Sequence, residues 1–184
     1  MGATLTVLAG IEAQAKREFL PIFGEEQAAY LEWLVRERRP CRAIEIGALV
    51  GYATIRIARN LPDGCALTAI EIGTDLARRA EANVALAGLS AKARIVRGDA
   101  REALDAVPGP IDLLLLDAER SQYLHHLKSV EAKLAPSATV VAAGVGKGAR
   151  LAAAYLDYVR KSPRYESEHR VFGDDAMEVS RFLG

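Results

Sequence analysis

Short apolar segments alternate with amphipathic ones along most of the chain. Runs of four to eight residues rich in apolar or β-branched side chains predict buried strands. The predicted strands are residues 43–46, 66–70, 94–97, 111–116, 139–142, 165–172 and 177–182. Elsewhere apolar residues recur every three or four positions, which predicts helices. These are residues 11–38 with a break at Gly24, 54–61, 75–87, 100–106, 122–134 and 148–161.

The order of these elements predicts an α/β fold. Strands that alternate with helices favour a doubly wound, mostly parallel sheet with right-handed crossovers. The last two strands are joined by Gly173-Asp174-Asp175 without a helix, which predicts an antiparallel C-terminal hairpin at one sheet edge. We expect a single domain over residues 1–184, with 1–40 as a helical N-terminal cover and 41–184 as the core.

Composition narrows the class of protein. The 184 residues are 51% hydrophobic, enough to bury a real core, and carry 24 basic and 24 acidic residues. This balance gives no global attraction to nucleic acid or to an anionic membrane. No apolar run approaches the roughly 20 residues that span a bilayer, and the charged start is not typical of a secretory signal. We expect a cytoplasmic protein, in which Cys41 and Cys65 make neither a metal motif nor a disulfide framework.

Ligands of doubly wound sheets bind beyond the carboxyl ends of the central strands. After the first strand, Gly47 and Gly51 permit tight turns and a close approach of ligand to backbone, or serve only as turn residues. Glu71 ends the second strand, 20 residues after Gly51, where a carboxylate can accept both hydroxyls of a ribose, or lie on the surface.

Two further aspartates end strands. Asp99 follows the third strand and could contact an adenine amino group or cap the helix that begins at Ala100. Asp117 ends the wholly apolar fourth strand, so a carboxylate there points into the expected crevice. A structural role in the core does not explain it, which favours a functional one.

Seven short motifs follow one another along the chain, from about Gln27 to the C-terminus, in the same order as in a known family. They are Glu45-x-Gly47-x-x-x-Gly51-Tyr52, Leu61-Pro62-x-Gly64, Ile70-Glu71-Ile72, Gly98-Asp99-Ala100, Leu116-Asp117-Ala118-x-Arg120-x-x-Tyr123, Tyr155-Leu156-x-x-Val159-Arg160 and Met177-Glu178-Val179-Ser180. In this succession the chain resembles the S-adenosylmethionine-dependent O-methyltransferases of the catechol and caffeoyl-CoA group.

The resemblance implies a Rossmann-like, seven-stranded sheet whose last strand is antiparallel, with S-adenosylmethionine as cofactor. It implies cofactor contacts for Glu45, Gly47, Gly51 and Tyr52 around the methionine part, Glu71 at the ribose, and Ile72, Asp99 and Ala100 at the adenine. Asp117 would lie near the sulfonium and the methyl acceptor. One contact departs from the family: Ala53 stands where a serine is common, which removes a hydroxyl near the cofactor carboxylate.

A larger departure concerns catalysis. The family's divalent-metal site uses the position of Asp117 and an Asp-Asn pair after the fifth strand, and that pair is Ala143-Gly144 here. The family's catalytic lysine is Arg120, whose guanidinium stays protonated. We therefore expect no metal. Arg120 would pair with an acidic substrate, stabilise an oxyanion, or form an ion pair at a helix start.

A hydroxyl acceptor would need a base. His125 and His126 are the nearest candidates in sequence, although an exposed or packing histidine is the common case; His169, on an edge strand, offers less. We take Asp117, Arg120 and His126 as the candidate catalytic residues.

The leading hypothesis is a metal-independent methyltransferase that acts on a small molecule, with oxygen as the expected acceptor atom. The alternative is a protein that binds the cofactor without catalysis and acts through a partner. A nicotinamide dehydrogenase is disfavoured because GxxxG replaces GxGxxG. A nucleic-acid partner is disfavoured by the charge balance. The short N-terminal cover and an apolar edge around Val171 and Val179 predict a homodimer.

Overall fold

The structure, a computed structural model, describes residues 2–184 and contains one seven-stranded sheet. The strands are β1 Arg42–Ile46, β2 Ala66–Glu71, β3 Ala93–Arg97, β4 Ile111–Leu116, β5 Leu134–Ala142, β6 Tyr165–Phe172 and β7 Asp175–Phe182. Their order is β3-β2-β1-β4-β5-β7-β6. The first five strands pair in parallel, and β7 is antiparallel to both β5 and β6. The predicted fold class, including the C-terminal hairpin, is confirmed.

Helices cover both faces of the sheet. They are α1 Gly2–Glu18, α2 Glu25–Arg38, α3 Tyr52–Ala58, α4 Thr74–Leu86, α5 Ala100–Ala103, α6 Tyr123–Val130 and α7 Ala153–Lys161. Three short 3-10 turns, Leu104–Ala106, Arg120–Gln122 and Glu131–Lys133, flank α5 and α6. Within residues 2–184, no helix has the length and apolar character that crossing a membrane requires.

The apolar run of β4 explains why this strand is central. Successive side chains of a strand point to opposite faces of the sheet. Leu113 and Leu115 join the core beneath α1, α2 and α3, whereas Leu114 and Leu116 join the core beneath α6 and α7. Both cores need β4 to be apolar at every one of these positions, so the uninterrupted leucine run follows from burial on two sides.

The N-terminal cover differs from its prediction in extent. The first helix begins at Gly2, earlier than the predicted residue 11, and Leu8 and Ile11 are its buried face. The predicted break near Gly24 is present, because residues 19–24 form a linker between α1 and α2. Phe19 in this linker has a φ of 55° and is 91% exposed, so it contributes little to the core.

The two cysteines depart from expectation, since Cys41 and Cys65 form a disulfide. The parallel register of β1 and β2 sets Arg42 opposite Ala66. The residues just before each strand therefore lie side by side, with a Cα–Cα distance of 4.3 Å. The proximity of the two cysteines follows from the register of β1 and β2, which their spacing in the sequence did not reveal.

Candidate functional site

A crevice of about 430 Å³ lies beyond the carboxyl ends of β1 to β4, a volume typical of small-ligand sites. It opens where the strand order reverses between β1 and β4, the usual ligand position of doubly wound sheets. A larger cavity of about 650 Å³ lies among α1, α2 and α3. That cavity contains none of the strand-end residues predicted above except Tyr52, so the crevice is the candidate site.

Gly47 is required for the shape of the crevice floor. Its φ is +97°, and a Cβ there would overlap the backbone carbonyl of Asp117. Hydrogen bonds from Gly47 N to Ile70 O and from Asp117 N to Ile46 O, each 2.9 Å, hold the ends of β1, β2 and β4 together. The glycine therefore lets the backbone pass close to Asp117 and leaves the space above open to a ligand.

Gly51 has a different role from the one predicted. It precedes α3 with a φ of +85°, and a Cβ there would lie 3.2 Å from the Cα of Ala80 in α4. Gly51 does not line the crevice. This glycine serves the close packing of α3 and α4, and the cofactor contact implied by the resemblance is not placed at its Cα.

Glu71 is a firmly oriented carboxylate of the crevice. One oxygen accepts a hydrogen bond from Leu49 N and the other from Gly73 N, each at 2.8 Å. A carboxylate oxygen has two lone pairs, so each retains capacity for a second donor. Glu71 is buried at the crevice wall, where this remaining capacity fits the two hydroxyls of a ribose.

Asp99 caps a helix, which was one of the two alternatives considered for it, and the adenine contact stays a prediction. It lines the crevice and also caps α5 by accepting a hydrogen bond from Arg101 N at 2.9 Å. Hydrogen bonds from the Arg101 guanidinium and amide lower the pKa of Asp99 to about 2. Ala100 and the exposed Ile72 line the crevice together with Asp99, the three residues for which the resemblance implies adenine contacts.

His126 is buried and lines the crevice, but at the end near Asp99. Burial lowers its pKa, and its charged neighbours are His125, Asp99 and Arg101. Its Nδ1 has no hydrogen-bond partner among the residues described. Because α6 packs against α5 and the turn that follows it, this imidazole lies on the β3 side. That position suits a cofactor contact better than the predicted role as base.

Glu45 lies behind the crevice rather than in its wall. It is fully buried, and Thr54 Oγ1 donates to its Oε2 at 2.7 Å. The pKa of Glu45 is raised to about 8, mainly by burial and also by the charges of Asp117 and Glu71, although the hydrogen bond from Thr54 lowers it. The sequence interpretation missed Thr54, although a hydroxyl directly after the atypical Ala53 was the available signal.

Tyr52 corrects another prediction. Its hydroxyl donates to Glu12 Oε1 and accepts from Arg56 Nη2, both at 2.7 Å. The ring lines the cavity among α1, α2 and α3 and is absent from the crevice wall. Tyr52 is the first residue of α3, so its side chain points toward α1 instead of the strand ends. It ties the N-terminal helix to the sheet.

Asp117 lies at the centre of the crevice, directly after β4. Burial raises the pKa of its carboxyl to about 8; the charge of Arg120 lowers the pKa and that of Asp175 raises it. A cationic ligand would favour the ionised form. The carboxylate is therefore placed where a sulfonium or ammonium group would be stabilised.

Arg120 lies next to Asp117, over the loop that follows β5. Its Nε donates to Gly144 O at 2.7 Å. The predicted alternative of an ion pair at the helix start is not formed within residues 2–184. Glu119, the neighbouring carboxylate, instead accepts from the amide of Ser121.

The positions that carry the family's metal ligands offer little to a cation. The carbonyl of Ala143 accepts from the hydroxyl of Tyr123 at 3.0 Å, and that of Gly144 accepts from Arg120. No group of three or more His, Cys, Asp or Glu side chains in the described part of the chain is arranged to hold a metal ion. Metal independence remains a prediction.

The site residues follow the order of the strands. Asp99 ends β3, Glu71 ends β2, Gly47 follows β1, Asp117 follows β4, and Gly144 follows β5. Neighbouring strands are about 4.8 Å apart, so roughly 19 Å separate the two ends of this row. An α/β crevice with a carboxylate at the end of β2 and another at the sheet switch point is typical of enzymes that bind a nucleoside-containing cofactor.

Comparison with known proteins identifies the family. The O-methyltransferase family model matches residues 5–140. The chain is 32% identical over 186 aligned positions to catechol O-methyltransferase B of Danio rerio, covering 91% of this chain and 68% of that protein. For catechol O-methyltransferase of Bos taurus, the identity is 29% over 91% of this chain and 64% of that protein. The chain belongs to the O-methyltransferase family and spans about two thirds of these relatives' length.

Solved structures show the same fold. The O-methyltransferase TomG of Streptomyces achromogenes, determined with S-adenosylmethionine, superposes with a TM-score of 0.86 at 25% identity, covering 97% of this chain and 90% of that one. An O-methyltransferase of Bacillus cereus, determined with S-adenosylhomocysteine, gives 0.88 at 19% identity over 96% and 90%. Family and fold agree on a methyltransferase whose cofactor is S-adenosylmethionine.

Proposed function

We propose that this chain transfers the methyl group of S-adenosylmethionine to an oxygen of a small molecule without a divalent metal. The observation that carries the proposal is the position of Arg120 at the β4–β5 end of the crevice, whose wall also contains Asp117. There the Arg120 guanidinium covers Gly144, at the position where the resemblance places a metal-binding side chain.

The residues present fit the cofactor. Glu71 retains lone pairs for the ribose hydroxyls, and Ile72, Asp99 and Ala100 form the adenine end. Asp117 lines the crevice, and its ionised carboxylate would stabilise the positive sulfonium of the cofactor. When bound, S-adenosylmethionine supplies an electrophilic methyl group. The chain's own contribution is orientation, which can lower the barrier of a bimolecular step by roughly 7–11 kcal/mol in favourable cases.

Binding is tested first, by calorimetry with S-adenosylhomocysteine and with NAD. We expect S-adenosylhomocysteine to bind and NAD not to bind. Glu71→Gln should weaken binding by about 1–3 kcal/mol because one ribose acceptor becomes an amide. Glu166→Gln on the exposed hairpin is the matched control and should bind normally. Binding of NAD together with no response to S-adenosylhomocysteine would refute the proposal.

Metal independence is tested by transfer assays with and without chelator. We expect equal rates, because Asp117 is the one side-chain ligand retained from the implied metal set. Loss of activity in chelator that Mg²⁺ restores would contradict this expectation. Cofactor binding without transfer of label to any acceptor would favour the alternative of a binding protein without catalysis.

We also propose a homodimer and a cytoplasmic location. The exposed apolar side chain of Val171 on edge strand β6 supports the dimer. Charge balance supports the location, whereas the Cys41–Cys65 disulfide weighs against it, because reducing compartments disfavour such bonds. Mass spectrometry of thiol-blocked protein from cells decides the point: a fully oxidised pair would contradict a cytoplasmic location.

A further inference from the structure

The Arg120 side chain carries an uncompensated positive charge at the β5 end of the crevice. One hydrogen bond, from Nε to Gly144 O at 2.7 Å, fixes the guanidinium. Its two terminal amino groups form no ion pair within the residues that the structure describes. Since Arg120 is half-buried and lines the crevice, those groups are presented to whatever occupies the space beside Asp117.

Two glycines form a slot that fits this arginine. A Cβ at Gly144 would lie 2.7 Å from Arg120 Nε, and one at Gly148 would overlap both Cδ and Nε. Gly144 has a φ of +67°, which by itself favours glycine, but Gly148 has no such backbone requirement. A side chain at Gly148 would overlap Arg120 and the carbonyl oxygen of Gly144, which explains the glycine at this position.

The acidic groups around this loop are already engaged. Asp175 accepts hydrogen bonds from the amides of Gly146, Lys147 and Ala176. Asp174 forms an ion pair with the side chain of Lys147. Asp117 lines the same crevice, but within residues 2–184 it forms neither a hydrogen bond nor an ion pair with Arg120. A negative partner for Arg120 must then come from the ligand.

We propose that the methyl acceptor presents an anionic oxygen, a carboxylate or an acidic phenolate, to the guanidinium of Arg120. This inference rests on the proposed function and names its substrate class. In the transfer, the acceptor oxygen forms a bond to the methyl carbon while the sulfur–carbon bond breaks, and its electron pair returns to sulfur. An anion and a sulfonium give a neutral ether or ester and neutral S-adenosylhomocysteine, so no proton has to move.

This chemistry accounts for two features of the site together. An acceptor that is already ionised needs no general base, which agrees with His126 lying at the opposite, β3 end of the crevice. It also needs no metal to lower the pKa of a hydroxyl, because a fixed guanidinium orients and stabilises the oxyanion. Arginine suits this role because its planar donors match a carboxylate in pairs.

The test compares two nearly isosteric probes, benzoate and benzamide, by calorimetry on protein saturated with S-adenosylhomocysteine. We expect benzoate to bind at least about ten-fold more tightly, because charge-assisted hydrogen bonds to arginine favour the anion. Arg120→Gln should remove this preference. Arg181→Gln, an exposed arginine paired with Glu166 on the C-terminal hairpin, is the matched control and should keep it.

A transfer assay shows whether the methyl acceptor is a carboxylate or an acidic phenolate. Protein loaded with S-adenosylmethionine is given benzoate, 4-nitrophenol or phenol, and products are identified by mass spectrometry. Methyl ester or nitroanisole, with phenol at least about ten-fold poorer, supports the proposal.

Failure of S-adenosylhomocysteine to bind at all would refute the proposed function itself. With that ligand bound, equal affinity for benzoate and benzamide, no detectable benzoate binding, or an unchanged preference in Arg120→Gln would overturn the inference alone. Should Arg120→Gln fail to fold, Arg120→Lys retains the charge but loses the paired donors. It should reduce the benzoate preference several-fold, and an unchanged preference would again contradict the proposal.

Discussion

At the scale of single residues, two carboxyls with raised pKa values distinguish this site, the buried Glu45 and the half-buried Asp117. Glu45 and Asp117 both have pKa values raised to about 8, in each case mainly by burial. A group whose folded pKa lies above its unfolded value stabilises the fold at low pH and loses that contribution as pH rises toward the folded pKa. Each carboxyl therefore weakens the ligand-free protein progressively between about pH 4 and pH 8.

The first prediction follows from this sign. Asp117→Asn cannot ionise, so relative to wild type it should become progressively more stable as pH rises from about 5 to 8. Urea unfolding of both proteins at several pH values measures the difference. A stability difference for Asp117→Asn that is independent of pH would contradict the raised pKa.

A second prediction concerns cofactor binding by the same residue. The positive sulfonium should favour ionised Asp117, so S-adenosylmethionine should release protons on binding near neutral pH. The neutral thioether of S-adenosylhomocysteine should release fewer. Calorimetry in buffers of different ionisation enthalpy measures the release, and Asp117→Asn should abolish the difference between the two ligands. Equal release by both ligands in wild type would place Asp117 away from the sulfonium.

At the scale of elements, the loop between β5 and α7 is where the site departs from its family. The loop continues to Ala152, and α7 begins at Ala153 rather than at the predicted residue 148. Gly148 N donates to Gly144 O at 3.1 Å, so a turn that holds the two glycines of the slot together replaces the first part of the predicted helix.

A third prediction tests this loop by a double-mutant cycle. Gly148→Ala should destabilise the fold by roughly 1–3 kcal/mol, because the added methyl group overlaps Arg120. Part of that cost should disappear when Arg120→Ala is made as well. Gly10→Ala, in open space on α1, is the control and should stabilise slightly. Strict additivity of the two changes, by chemical denaturation, would show that Gly148 and Arg120 are not coupled.

The sequence predicted strands more accurately than side-chain directions. The predicted bounds of β4 and β6 were exact, in β4 because burial fixes its apolar run, whereas β5 begins at Leu134 instead of residue 139. The positions of Glu71 and Asp117 in the crevice were predictable, because both residues lie at the carboxyl ends of strands and a parallel sheet brings those ends to one edge. The sequence did not predict where the side chains of Tyr52 and His126 lie, because the start of a short helix decides which way each side chain points and apolar spacing does not encode it.

At the scale of the whole molecule, the surface formed by α2 and β6 exposes aromatic and apolar side chains. Tyr30 on α2 stacks on Trp33 at 5.5 Å between ring centroids and contacts Phe172 of β6 at 5.4 Å. Trp33 and Val171 are both exposed. Strand β6 is an edge strand, so its outer backbone groups are free of strand partners within the described sheet. Aromatic residues beside an open edge are typical of a protein–protein interface.

The fourth prediction is that this surface forms the homodimer. A lysine at an apolar interface must bury its charge or leave the interface open, so Val171→Lys and Trp33→Lys should each shift the protein toward monomer. Leu86→Lys, which replaces an equally exposed leucine on α4 at the other end of the sheet, should leave assembly unchanged. Light scattering at micromolar concentration measures the mass of all four proteins. A monomeric wild type would reject the dimer, and a dimer insensitive to both lysines would place its interface elsewhere.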